Sequence, residues 1–383
     1  MKQLPYWLQG LNNPIFARLY LAQTINLVGD ALTWVGLALL AFELAGAQAG
    51  TVLAGALTLR VTAFVVLSPI AGAIADRVDR KRLMVTTHLA RMAIVCLLPF
   101  VTQVWQIYAI VLSLNVFYAF FAPTYTATIP LVTTEAERAG AIALSSATYQ
   151  LLGVLGPGLA GSIAAFVGTR QVFFLDGITF LIATILIVTL PGQLMVNQHQ
   201  QTARTVNRTL EDIRLGTVCL FLDPPIRYAL VLQFVAAIAG AEILVNLGGL
   251  LLLWAIAGVG QTLVNVPTQT LIANRVAVEV QGRVYGAHFA WSHLWWALAY
   301  PLAGWLGSNS PTHNFFYTSL IGAGLLVLVY LAFKPWKLTD LQGGLWHEHE
   351  HLHDDEQHSH IHSPTLTTQS PHHHLHFHPV THQ

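Results

Sequence analysis

The chain consists largely of long apolar stretches that contain almost no charged side chains. Each stretch is about 18 residues or longer, which is enough for one helix to cross the roughly 30 Å hydrocarbon core of a bilayer. Only 9% of the 383 residues are Asp, Glu, Lys or Arg, against about 25% in an ordinary soluble domain. The sequence therefore predicts an all-α integral membrane protein with the lipid bilayer as a partner, and it excludes a water-soluble globule.

The apolar stretches fall into two groups. A polar connection over 191–227, predicted to be a cytoplasmic loop, separates a six-helix half over 1–190 from a four-helix half over 228–335. A His-rich tail follows over 336–383. The first stretch is too long for a signal peptide and has no A-x-A cleavage site, so we expect it to be retained. The ten predicted transmembrane helices cover 16–42, 50–74, 83–101, 105–127, 139–167, 171–190, 228–245, 250–272, 282–306 and 315–333.

The distribution of Lys and Arg predicts how the helices are oriented. With the N-terminus in the cytoplasm, 15 of the 18 Lys and Arg residues lie on that side, Arg170 lies on the other, and Arg60 and Arg91 lie within helices. By the positive-inside rule we expect cytoplasmic N- and C-termini in a bacterial inner membrane.

Other classes of protein find no support in the sequence. The zero formal net charge gives no reason to expect nucleic acid as a partner. The sequence contains no nucleophile and base in a recognisable pattern and no P-loop, so it gives no indication of an enzyme. Cys96 and Cys219 stand far apart without a paired context, so we expect neither a disulfide framework nor a zinc site from them.

A charged connection between the second and third stretches carries a motif. It reads Gly72-Ala-Ile-Ala-Asp76-Arg77-Val-Asp79-Arg80-Lys81-Arg82. This resembles the signature loop of the major facilitator superfamily, G-x-[LI]-A-D-R-x-x-R-[KR], at its usual cytoplasmic place. The resemblance implies a contact that breaks and re-forms between two transporter states, in which Asp76 pairs near a helix end and the Arg residues engage carboxylates or helix C-termini. The alternative is a plain positive-inside cluster.

The fifth stretch contains a second motif of small residues. It is similar to the antiporter motif of the same superfamily, which ends in GPxxGG, although Ala160 replaces one glycine and the upstream glycine is shifted by one residue. The resemblance implies export in exchange for protons. The alternative is ordinary helix packing through small residues. The motif consists of Gly153, Gly156, Pro157, Gly158 and Gly161.

The stretch over 282–304 and the His-rich tail together resemble the bacterial nickel-resistance exporters of this superfamily. The resemblance implies efflux of Ni(II), or of Co(II) or another divalent transition metal, driven by the proton gradient and conferring metal resistance. No cofactor is expected, because the metal is cargo. Two alternatives stay open: a transport-deficient or truncated membrane protein whose tail binds or senses metal, and an exporter of a small organic or drug substrate.

The sequence departs from the superfamily in its second half. The resemblance implies twelve helices in two halves of six, whereas the second half here has room for four. The stretch before Asn246 is followed directly by one that resembles the family's tenth helix, so the eighth and ninth have no counterpart. We expect an exposed seam there, and a protein that transports poorly or works as a homo-oligomer.

Two acidic residues inside predicted helices are candidates for proton coupling, because a buried ionisable group is costly and usually functional. Asp30 lies in the first helix and Glu242 in the seventh, and the resemblance places both helices around the central cavity. Either carboxylate could bind a proton and a cation in turn. The alternative for Asp30 is structural pairing with Arg60 or Arg91.

Histidines supply the candidate metal ligands. His288 and His293 lie in the ninth predicted helix, where their spacing of five does not place them on one face. Packing is the alternative role for both. Thirteen further histidines lie in the tail, and neutral imidazole is a favoured ligand for Ni, Cu, Zn and Co. We expect the tail to be disordered without metal and dispensable for the transport step. Its histidines are His347, His349, His351, His353, His358, His360, His362, His372, His373, His374, His376, His378 and His382.

Overall fold

The fold is described from a computed structural model of the chain. The structure describes residues 6–190, 192, 194, 209–223, 225–227, 229, 247–294, 324, 327–328, 344–351 and 372–379. The predicted helices over 228–245 and 315–333 lie almost entirely outside the described residues, as do Glu242 and the second part of the predicted helix over 282–306.

Six helices form the first half, and each corresponds to one predicted span. Four apolar stretches, Pro14–Ala75, Arg80–Phe100, Val104–Val132 and Glu135–Val167, are long enough to cross a membrane, and the first contains two of the helices. Large apolar side chains point outward from them: Phe166 is 90% exposed and Phe100 70%. The helices are α1 (Pro14–Ala45), α2 (Ala49–Ala75), α3 (Arg80–Val95), α4 (Val104–Val132), α5 (Glu135–Val167) and α6 (Val172–Val188).

Polar residues fix where these helices begin. The Asn13 side chain accepts hydrogen bonds from the backbone N–H groups of Ile15 and Phe16 at the start of α1. The Asp79 side chain does the same for Lys81 at the start of α3. At α5 the backbone N–H of Thr134 donates to the Glu137 carboxylate. Such caps satisfy the first backbone donors of a helix, and α5 therefore begins four residues before the apolar stretch that predicted it.

Two apolar clusters hold the first half together. One is centred on α1, α4 and α5 and includes Phe64 of α2; in it Phe16, Phe64 and Phe121 are almost fully buried. The other lies towards the opposite end, with Leu40 of α1 and Phe173 of α6 fully buried. Several polar side chains, among them His88, Arg91 and Asp176, are buried between these helices.

The second half contributes α7 (Thr209–Leu222), α8 (Leu247–Arg275) and helical residues 281–294, here called α9. Residues 225–227 and 229 are also helical. The prediction of a loop over 191–227 is wrong where α7 lies. The apolar end of α7 explains the helix, because Cys219 and Leu220 are fully buried against Val276 of the α8–α9 connection and against Val280 and Tyr285.

The tail contains strands where disorder was expected. Strand β1 (Gly344–His351) pairs antiparallel with β2 (His372–Pro379). The register places His347 opposite His376 and His349 opposite His374. A His-x-His alternation has the two-residue period of a strand, and this is the sequence signal for the pairing. His353, His358, His360, His362 and His382 lie outside the described residues.

Candidate functional site

The signature-motif loop joins the two halves through the carboxylate of Asp76. Asp76 follows the last residue of α2 and accepts hydrogen bonds from the backbone N–H groups of Gly282 at 2.7 Å and Arg283 at 2.9 Å, in the first turn of α9. The guanidinium of Arg283 lies 3.4 Å away and that of Arg80 3.3 Å away. A carboxylate is favoured at a helix N-terminus because the first N–H groups have no partner within the helix.

Arg80, the first residue of α3, is fully buried and connects its own helix to three other parts of the chain. It donates to the backbone carbonyls of Ala75 at the end of α2, Ala127 in α4 and Val278 between α8 and α9. A guanidinium has five N–H donors in a rigid plane, which suits it to hold several carbonyls at once.

Asp212 in α7 completes this arrangement, and sequence reasoning missed it. Its carboxylate accepts from Arg77 and, at 2.8 Å, from Arg283. The only sequence signal was an acidic residue in a polar connection. We call the group formed by Asp76, Arg77, Arg80, Asp212 and Arg283 the inter-half contact.

Glycine is required where α2 meets α9. A Cβ built on Gly72 would lie 2.2 Å from the carbonyl oxygen of Gly282 and 3.0 Å from the Cα of Gly286. The two helix backbones therefore touch, and a side chain at Gly72 would separate them. Gly72 and Asp76 of the motif therefore both contact the beginning of α9.

The remaining cations of the motif lie around this contact. Lys81 donates to the carbonyl of Leu190 at 2.6 Å, and Arg82, whose side chain is 78% exposed, lies 3.7 Å from Asp79.

Burial raises the pKa of the Asp76 carboxyl, and the charges of Arg283 and Arg80 oppose that effect. The backbone N–H groups of Gly282 and Arg283 and the two guanidinium groups next to Asp76 are all donors. The ionised carboxylate is therefore the form of Asp76 that fits the site.

A cavity of about 450 Å³ lies between the halves. Its wall is made of polar and aromatic side chains from α1, α2, α4, α5, α8 and α9. Among the lining residues that the structure describes, Arg60 carries the permanent charge and no carboxylate is present. The Arg60 guanidinium lies over the rings of Trp34 at 4.9 Å and Phe64 at 5.3 Å. Representative lining residues are Arg60, Tyr118, Tyr149, Asn265, His288 and His293.

His288 and His293 both line the cavity, although their spacing did not place them on one helix face. The Nδ1 atom of His293 lies 2.8 Å from the carbonyl of Phe289, and its ring packs against Phe64 and Phe289. Within the described part of the chain no three His, Cys, Asp or Glu residues come together as a metal site.

Asp30 does not line the cavity but pairs with Arg91, at 2.6 Å. Arg91 also donates to Asn26 at 3.4 Å. Its guanidinium lies 4.4 Å from the ring centre of Phe180. The structure therefore contains the Asp30–Arg91 pairing that was one of the two sequence readings, and it places Arg60 elsewhere, at the cavity wall.

The antiporter-like motif is divided by the fold. A Cβ built on Gly156 would lie 2.8 Å from the Cβ of Ala31, so this glycine lets α5 approach α1. Pro157 lies inside α5. Gly153, Gly158 and Gly161 have no atom of the described chain within 4 Å of such a Cβ.

Comparisons with known proteins agree with this arrangement. A family model described as Major Facilitator Superfamily matches residues 19–247. Over 197 residues the chain is 27% identical to the uncharacterized MFS-type transporter YfiS of Bacillus subtilis (strain 168), a match that covers 51% of this chain and 46% of that protein. The crystal structure of the human organic anion transporter MFSD10 (TETRAN) superposes with a TM-score of 0.60 at 13% identity, over 86% of this chain and 99% of that one. At this identity the likeness concerns the fold alone.

Proposed function

Because the chain belongs to the Major Facilitator Superfamily, we propose that it is a secondary transporter that exports a small solute across the bacterial inner membrane in exchange for protons. The observation that carries the proposal is a cavity lined by both halves together with a buried charged contact that joins the same halves. Transporters of this kind expose one site to the two sides of the membrane in turn by moving one half against the other. The inter-half contact is then the part that opens.

The orientation in the membrane and the direction of transport each rest on one sequence feature. The excess of Lys and Arg on one side supports cytoplasmic N- and C-termini, with the inter-half contact on the cytoplasmic side. The antiporter-like motif supports exchange with protons, in which Asp30 is a candidate proton carrier. A contact closed on the cytoplasmic side corresponds to a cavity that opens outward.

The cavity favours a small organic solute that is neutral or negatively charged. Arg60 would attract a carboxylate or phosphate, and the aromatic wall would pack against a ring or an alkyl chain. A divalent cation would meet the charge of Arg60 without a carboxylate from the described lining to offset it. The human structural neighbour is an organic anion transporter, which is consistent with this class of substrate.

A divalent transition metal is the second candidate substrate, with Ni(II) or Co(II) preferred from the sequence resemblance. It is favoured by the two cavity imidazoles of His288 and His293 and by the thirteen tail histidines. In this version the tail would collect metal near the cytoplasmic mouth and leave transport itself to the helices.

Transport by purified protein in proteoliposomes distinguishes the two candidates. We expect an aromatic carboxylate to produce proton movement in the wild type and about tenfold less in Arg60→Gln, since one charge-assisted bond is worth about 1.5–3 kcal/mol. Arg18→Gln, at an exposed site bonded to the Thr189 carbonyl, is the matched control and should behave as the wild type.

Nickel gives the opposite pattern if the second candidate is right. Proton movement would then follow nickel, survive Arg60→Gln and fall in the double variant His288→Ala with His293→Ala. Deleting 344–383 should leave either activity in place at saturating substrate. Nickel binding by the full chain without any transport would favour instead a membrane protein that only binds or senses metal.

A further inference from the structure

Asp176 in α6 is a buried carboxyl group without an ionic partner among the described residues. Its side chain is 1% exposed. It accepts hydrogen bonds from the hydroxyl of Thr33 at 2.5 Å and from that of Thr179 at 2.9 Å. The groups that donate hydrogen bonds to its carboxyl are thus neutral hydroxyls, which do not offset a negative charge.

The backbone of α1 presses directly against this carboxyl. A Cβ built on Gly29 would lie 2.1 Å from the Oδ1 atom of Asp176. The next residue is Asp30, which is paired with Arg91 and whose side chain is 22% exposed. The charges of both Asp30 and Arg91 act on Asp176. Two carboxyl groups and one guanidinium therefore share one layer of the first half.

The charges in this layer do not balance if both carboxyl groups are ionised. Arg91 neutralises one carboxylate, and the second would remain as an unpaired charge away from water. A buried charge without a partner is so costly that the group takes up a proton instead. Because Asp30 has the ion pair, Asp176 is the group that is neutral in this arrangement.

Arg91 retains a donor for a second position. Its Nε atom is buried and has no hydrogen-bond partner in the described structure, while its terminal nitrogens bond Asp30 and Asn26. A rotation of this side chain would bring its charge from Asp30 towards Asp176 without removing it from the layer.

We propose that Asp176 is a proton-binding site that works as one unit with Asp30 and Arg91. The unit holds one proton. While Arg91 pairs with Asp30, the proton is on Asp176. When Arg91 turns to Asp176, the O–H bond of Asp176 breaks and Asp30, now without its counter-ion, takes up the proton and can release it to water from its more exposed position.

The other titratable groups that the described chain places around Asp176 lie on α3 or directly after it. Besides Arg91, they are Cys96, whose sulfur would lie 2.8 Å from a Cβ on Gly177, and His88, which packs against Phe121 and Phe180. As a neutral thiol and a neutral imidazole, neither carries a positive charge, so neither replaces Arg91 as the counter-charge of a carboxylate. The role of the unit in transport rests on the proposed function, but proton binding by Asp176 does not.

Infrared difference spectroscopy of the purified full chain tests the proton directly. A protonated carboxylic acid has a carbonyl stretching band that a carboxylate lacks and that shifts on H/D exchange. We expect such a band at neutral pH in the wild type and its loss in Asp176→Asn, where Asp30 keeps its pair with Arg91. We also expect its loss in Asp30→Asn, where Arg91 is free to pair with Asp176 as a carboxylate. Persistence of the band in Asp176→Asn, or its retention in Asp30→Asn, would overturn the proposal.

A second variant covers the case in which Asp176→Asn does not fold. Thr33→Val keeps the shape of the side chain and removes the hydroxyl bonded to Asp176. The band should shift in frequency, and an unchanged band would contradict the assignment to Asp176. No substrate is needed in either measurement, so a missing substrate activity and a missing proton are separate results.

Discussion

Replacing Asp76 with Asn tests whether the inter-half contact sets the balance between two states. The substitution keeps the size of the side chain but removes its charge and turns one acceptor oxygen into an NH₂ group. Two backbone N–H groups and two guanidinium groups now converge on the carboxylate. An amide oxygen still accepts from the backbone of α9, while its NH₂ group faces donors with which it cannot bond.

The expected cost follows from the burial of the partners. Arg80 and Arg283 are 0% and 4% exposed, so both guanidinium groups lose a counter-charge without access to water. Breaking a buried ion pair by removing one partner costs about 3–5 kcal/mol. Arg283 keeps Asp212, at 2.8 Å, so we use the lower value. About 3 kcal/mol corresponds to a population of the open state roughly 100-fold higher, at 1.36 kcal/mol for each factor of ten.

Cys219 reports the opening. It is fully buried in a cluster that includes Ala127 of α4, and separation of the halves would uncover it. Burial raises the pKa of the Cys219 thiol to about 12, so the reactive thiolate is scarce while the halves are closed. In a Cys96→Ser background, we expect maleimide to label Cys219 slowly in otherwise wild-type protein and about 100-fold faster in Asp76→Asn.

A matched control removes a carboxylate of an exposed ion pair. Glu43 lies 2.9 Å from Arg170, and their side chains are 50% and 33% exposed. Such a pair contributes about 0–1 kcal/mol, so Glu43→Gln should label within a few-fold of the wild type. Equal labelling of Cys219 in Asp76→Asn and Glu43→Gln, in protein with an unchanged melting temperature, would refute the role of Asp76 in closing the halves.

Two further substitutions and one control substitution test the glycine contacts. Gly72→Ala should also speed the labelling of Cys219, because its Cβ would lie 2.2 Å from the Gly282 carbonyl oxygen; labelling at the wild-type rate would show that α2 and α9 can move apart without opening the cluster. Gly156→Ala should lower the melting temperature in detergent by several degrees through the close approach to Ala31, whereas Gly158→Ala, which meets no described atom within 4 Å, should leave it unchanged. Equal melting temperatures for these two variants would contradict the α1–α5 contact.

The six helices of the first half could be predicted from sequence because the bilayer dictates their length and composition. Their ends could not be predicted as well, because capping groups such as Glu137 set them. The strands in the tail could not be predicted from composition, because a polar segment without a hydrophobic face favours disorder even where its His-x-His alternation has the period of a strand. Helix α7 was missed because 14 residues with a polar start give no membrane signal.

The site residues were predictable where a motif or a buried charge marked them. Asp30 and Asp76 belong to this group. Asp176 carries the same signal as Asp30, an acid within an apolar stretch, but only the structure shows that no described residue serves as its own counter-charge. Membership of the cavity wall could not be read from the sequence, because a helix that is apolar all round has no periodicity to show which face is turned inward.

The bonds from Asp76 to the backbone of Gly282 and Arg283 have an evolutionary consequence. One side of the contact depends on a particular side chain, while the other depends on backbone N–H groups that almost any residue supplies. Substitutions in the first turn of α9 therefore leave these two backbone bonds in place as long as Gly282 stays small, whereas a substitution of Asp76 removes both. Only the Arg283 guanidinium, which pairs with Asp76 and Asp212, adds a requirement for a particular side chain in this turn. Comparisons between distant relatives should show a recognisable motif in the α2–α3 loop and, in the first turn of α9, little more than a small residue followed by an arginine.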